Sequence, residues 1–146
     1  MRVIPLVAAT LSAACLVAPA AEAKHRKPMS GSYPLTLPVP YAGESPSGSH
    51  CQDAPEGLSK DTRSFKLPAA GQFKLSLAGY TGDWVIELSD AKGRIVASAA
   101  GVNTSGTPTS VRYKKKSTKS ENLTVAICNY LGGPQGNVAW VFTFDK

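Results

Sequence analysis

From Arg63 to Phe144, apolar side chains recur at every second position in short runs, and turn residues separate the runs. That period constrains the fold more than any other feature, because successive side chains of a strand point to opposite faces. The rows are Phe65 and Leu67; Phe73, Leu75 and Leu77; Trp84, Ile86 and Leu88; the run "RIVASAA"; Val111 and Tyr113; Leu123, Val125 and Ile127; and Val138, Trp140, Phe142 and Phe144. Between them lie "PAAGQ", "GYTGD", "DAKG", "GVNTSGTPTS" and "KKKSTKSE", rich in the residues that turn a chain. About seven short strands with large inward residues and no convincing helix predict an all-β antiparallel sandwich, jelly-roll or Greek-key-like, with two sheets facing across one core. Trp84 and Trp140 fall in register with the aliphatic rows and are expected in that core.

The amino-terminal segment points to export. Met1-Arg2 precedes an apolar run, Val3 to Ala21, and Ala21-Glu22-Ala23 has the small-x-small form of a signal-peptidase site. Pro5 and Pro19 interrupt the run, which is shorter than the roughly 20 residues of a spanning helix. Leu11 stands four places before Cys15, where a lipidation signal wants three. The expected organisation is a signal peptide over 1–23, a basic Pro/Ser/Gly-rich linker over 24–50 and a sandwich domain over 51–146, secreted and without a membrane span. "YPLTLPV" within the linker has the extended character of a segment lying along a domain edge. Cleavage removes Arg2 and Glu22 together, so the net charge stays at +6. It leaves Cys51 and Cys128, which in an oxidising compartment are expected to pair; a metal site or a reactive thiol are the alternatives. Cys128 is out of phase with Leu123, Val125 and Ile127. It should therefore face away from the main core, toward a cover supplied by the chain around His50.

"FKLPAAGQFKLSLAGYTGDWVIELSDAKGRIVASAAG" and "LTVAICNYLGGPQGNVAWVFTF" together resemble the bacterial pre-peptidase C-terminal domain, a small β-sandwich similar in shape to collagen-binding modules of secreted collagenases. The resemblance covers Arg63 to Phe144, and its most specific parts are "GYTGDW" and "CNYLGGP". It implies a domain that aids secretion, stability or attachment to an insoluble substrate, usually beside a hydrolase that this sequence does not contain. It also admits calcium, for which Asp53, Glu56 and Asp61, with Asp83, Asp90 and Asp145, are the candidates. Calcium needs six to eight converging oxygens, and the sequence has no DxDxD-like run, so the reading is no metal and no cofactor.

Catalysis finds little support. The two histidines are His25 in the basic tail and His50 beside Cys51. A triad of Ser47 or Ser49, His50 and Asp53 would sit in one Gly/Pro-rich stretch without the rigid, separated supports it requires. "LGGPQG" follows no strand into a helix and is a turn, not a phosphate cradle. Four lysines, Lys114, Lys115, Lys116 and Lys119, share one loop and read as an electrostatic foothold on polyanions. Base-stacking aromatics are not interleaved with them, which argues against specific nucleic-acid recognition. Tyr80 and Tyr130 stand in glycine turns and are expected, with the lysines, to form an exposed binding surface. The function read from the sequence is a secreted, non-catalytic, monomeric binding or accessory module for a cell-wall polyanion, a polysaccharide or a secreted protein. The alternatives are a structural protein, a protease inhibitor presenting the loop from Gly101 to Ser110, or an enzyme whose site is not recognisable in the sequence.

Overall fold

The computed structural model describes residues 26–41 and 51–145, the Gln52 side chain excepted. The expected signal peptide, Lys24, His25, His50 and residues 42–49 lie outside the described residues. The described chain forms β1 (Met29–Thr36), a 3-10 turn (Cys51–Asp53), β2 (Lys60–Leu67), β3 (Gly71–Ala78), β4 (Gly82–Ser89), β5 (Ile95–Asn103), β6 (Thr109–Lys115), β7 (Glu121–Leu131) and β8 (Gln135–Phe144). The strands make two four-stranded sheets, ordered β1-β8-β3-β6 and β2-β7-β4-β5. All neighbours are antiparallel. The expected all-β sandwich is the observed fold, with eight strands in place of seven.

The additional strand is β1, inside the segment expected to be linker. An edge strand needs a ladder on one side only, so Pro34, which cannot donate, is tolerated there. Gly31, Tyr33 and Leu35 face inward, and Gly31 is required for a local reason: a Cβ at that position would meet the indole of Trp140, its register partner on β8, at 2.9–3.1 Å. Leu37 follows into the core, its amide donating to Pro134 O at 2.7 Å. The sandwich thus begins at Met29, not at Cys51.

The alternating rows pack between the sheets as the period requires, with Phe73, Leu75, Leu77, Trp84, Ile86, Leu88, Leu123, Val125, Ile127 and Phe142 fully or almost fully buried. Phe65 and Phe73 lean on Trp140. A second, smaller cluster sits on the outer face of the second sheet and comprises Cys51, Ala54, Val85, Cys128 and Tyr130, with Tyr41 packed against it. The Cys51–Cys128 disulfide joins this cover to β7, with a Cα–Cα distance of 5.7 Å. Cys128 faces away from the main core, as its phase demands. The cover is also tied by backbone bonds from Val39 N to Leu58 O, Tyr41 N to Asn129 O and Asn129 N to Ser59 O, at 3.2, 2.8 and 2.9 Å. "GYTGDW" and "CNYLGGP" are neighbours in space: Gly82 and Gly132, both with positive φ, let the two turns touch backbone to backbone, and Gly133 N donates to Thr81 Oγ1 at 3.0 Å.

Candidate functional site

The expected binding residues do not share a surface. Tyr80 is 2% exposed; its ring packs on Trp84 with centroids 5.7 Å apart, and its hydroxyl is hydrogen-bonded to Thr109 Oγ1. The left-handed Gly79 lets the chain fold back after β3, so the turn inserts its ring between the sheets. Tyr130 is 7% exposed, lies under the cover on the other side of the second sheet and meets Tyr41 edge-on at 5.7 Å. Neither is an exposed platform. Lys115 is fully buried, its ammonium donating to the carbonyls of Ser117 and Lys119. Lys114 pairs with Asp145 at 2.5 Å. Lys116 and Lys119 remain as solvent-facing cations of that loop, at the opposite end of β6 from Tyr80.

Four of the six acids suggested for calcium, Glu56, Asp61, Asp90 and Asp145, are separately engaged, the last with Lys114. Glu56 accepts from Thr62 N and Oγ1 at 2.7 and 2.8 Å. Asp61 pairs with Arg63 at 3.0 Å. Asp90 closes its hairpin by accepting from the Arg94 guanidinium and from the amides of Lys92 and Arg94, which holds its carboxyl below the usual range, the Arg94 side chain contributing most. No group of three or more His, Cys, Asp or Glu side chains converges among the described residues. The loop considered for protease inhibition contracts to 104–108, since Gly101–Asn103 extend β5 and Thr109 opens β6. Asn103 Oδ1 accepts from Gly106 N at 2.7 Å and folds the short loop on itself.

Asp83 differs from the other acids. It lies on the outer face of β4, between its register partners Val102 and Leu131, and burial raises its carboxyl above the ordinary value. A raised carboxyl means that the folded chain holds the proton more tightly than the unfolded one. Stability is therefore lost as pH rises through the carboxylate range. Asp83→Asn should raise the melting temperature at pH 7, and the gain should vanish at pH 3, where the carboxyl is protonated in both states. Thermal melts of both chains at the two pH values measure this.

A different surface emerges on the outer face of the first sheet. Its four strands contain no aspartate or glutamate, whereas those of the second sheet carry Asp61, Asp83, Glu87 and Glu121. Alternate residues of β1, β8, β3 and β6 point outward in rows across the sheet. One row is Ser32, Ala139, Ser76 and Ser110; the next is Ser30, Val141, Lys74 and Arg112. The side chains of the first row are short, so the face is hollowed there into a groove of about 560 Å³ lined by Ser32, Pro34, Ser76, Pro108, Asn137 and Ala139. Ser76 and Ser110 share a hydrogen bond at 2.9 Å on its floor, and Lys74 also borders it. Lys74 and Arg112 are direct cross-strand neighbours, and neither has an acidic partner among the described residues. Tyr33, at the groove's β1 side, has its hydroxyl pushed up to about 12, chiefly by burial and secondarily by Asp61, against the opposing Arg63 guanidinium 3.5 Å above its ring. It stays neutral, and its ring packs inward against the core, so only its backbone borders the groove.

Lys74 alternates with Phe73 and Leu75, and Arg112 with Val111 and Tyr113, so both face outward. Their adjacency was hidden because β3 and β6 are not consecutive strands. No protein-family model and no curated protein matches the chain.

Proposed function

We propose that this chain is a secreted, non-catalytic binding module of the pre-peptidase C-terminal type, which holds an anionic extracellular polymer in the groove on the outer face of its first sheet. One observation carries the reading: Lys74 and Arg112 stand side by side, without acidic partners among the described residues, on a face whose strands have no acids. Like charges directly opposite on neighbouring strands are unfavourable. An anionic group seated between them relieves that repulsion, while the serine row and Asn137 offer hydroxyl and amide contacts to a chain lying in the groove. The exposed Lys116, just beyond the end of β6, extends the positive strip. The buried disulfide fits the oxidising compartment in which such a polymer is met.

The test is retention of the mature chain on immobilised polyuronate, polyphosphate and neutral dextran across a salt series. We expect retention on both polyanions that falls with salt, and none on dextran. The double variant Lys74→Glu, Arg112→Glu should lose at least roughly tenfold in affinity, since each reversed contact costs on the order of 1 kcal/mol even in water-like surroundings. Both residues point to solvent, so its circular dichroism and melting temperature should stay those of the parent. Unchanged retention of the double variant, or equal retention on dextran, removes the reading.

A further inference from the structure

The sandwich has four edge strands, β1, β6, β2 and β5, and an unprotected edge is a template for another strand. Three of them are blunted. β1 carries Pro34, which cannot donate. β6 has Arg112 at its midpoint, so that symmetric pairing with a second β6 would set arginine against arginine. On β2 the Glu56 side chain takes up the Thr62 amide, and the chain at Glu56 bridges Lys60. β5, "IVASAAGVN", has no charge and no proline over its whole length, and its outward side chains Val96 and Val102 are exposed, Val102 at 70%. Leu131, 66% exposed, lies two strands away in the same row as Val102.

We propose that β5 is a self-association edge, on which a second copy of this chain pairs its own β5 antiparallel about a two-fold axis through Ala100. The register shift between Leu88 and Ser89 leaves Val96 without a partner, so the unbroken ladder of β5 is Ala97–Asn103, with Ala100 as its middle. About that axis Ala97 faces Asn103 of the second copy, Ser98 faces Val102, and Ala99 faces Gly101, each pair formed twice. No charge meets a like charge, and the small side chains leave the edge open to close approach. The sequence is thus complementary to itself in this register, as a two-fold interface requires. The second sheets then fuse into one of eight strands. Because the two-fold axis of an antiparallel pair runs perpendicular to the sheet, both first-sheet grooves face the same way. A dimer therefore presents two polymer grooves to one surface, a consequence that rests on the function proposed above, whereas the pairing itself does not.

Sedimentation velocity of the mature chain in the absence of any polymer tests the pairing separately from the groove. We expect a dimer that dissociates on dilution. Val102→Lys puts a charge on the pairing edge at a position already open to solvent, and should leave a folded monomer, with the parent's circular dichroism and melting temperature. Ala100→Cys should form an intermolecular disulfide under mild oxidation, because that residue meets itself at the axis, whereas Lys66→Cys on β2 should not. A parent chain that sediments as a monomer at every concentration overturns the proposal, as does a dimer that survives Val102→Lys or crosslinks equally through both cysteines.

Discussion

Converting Cys51 and Cys128 together to alanine should lower the folding stability by roughly 4 to 5 kcal/mol in the chain-entropy account, since the bond closes a loop spanning 77 residues. That loss is comparable with the whole net stability of many small domains. Local packing adds to the effect. Both cysteines are almost fully buried, and Cys51 N donates to Glu87 Oε2 at 3.0 Å beneath the cover. Once the tie is cut, the segment from Cys51 to Lys60 is held to β7 by the Asn129–Ser59 backbone bond and by the β2 ladder that begins at Lys60 opposite Cys128. Its release would expose Val85 and Tyr130, which now lie in the apolar cluster under it. Guanidinium unfolding of the parent and the double variant, followed by tryptophan fluorescence and extrapolated linearly, measures the difference. A loss below about 1 kcal/mol would mean that the cover folds on unaided and that the entropic account fails for this chain.

The same disulfide shows how much could be read in advance. The parity of β7 sets Cys128 on the outer face, and pairing it with Cys51 requires that face to be covered. Tyr130 lies two residues further along, so it shares the covered face. The signal for its burial was therefore present, and the neighbouring glycines outweighed it. Lys115 follows the same logic, because Val111 and Tyr113 point inward and the next residue of that parity is Lys115. Tyr80 is different: no period extends through the turn, and only the tertiary approach of Gly101 and Thr109 gives its ring a place. β1 escaped because alternation fails around Pro34 and Pro38, although an edge position needs only half a ladder. The basic groove depends on a crossover that brings β3 beside β6, and such non-local pairing leaves no mark in a local pattern.

Lys115 and Lys114, adjacent in sequence, should respond to mutation in opposite ways. Lys114 makes an exposed pair with Asp145, and Lys114→Ala should change stability by less than about 1 kcal/mol. Lys115 is 0% exposed; its ammonium donates to the carbonyls of Ser117 and Lys119, the latter at 2.5 Å, and stands 3.8 Å from Glu121. Loop 116–120, which carries the chain from the first sheet to the second, is thus wound around this one cation. Lys115→Ala removes a buried stem, strands two carbonyls and takes the counter-charge from Glu121. Breaking a buried pair in this way costs about 3 to 5 kcal/mol, and the partial exposure of Glu121 brings the expectation to about 2 to 4 kcal/mol. Lys115→Met separates the causes, because it keeps the stem's volume and removes only the donors. We expect it to retain most of the loss and to speed amide exchange in residues 116–120 before any change elsewhere, as measured by hydrogen exchange. If Lys115→Met is as stable as the parent while Lys115→Ala is not, the stem and not the ammonium holds the loop. If both are neutral, the buried cation has no structural part in the crossing.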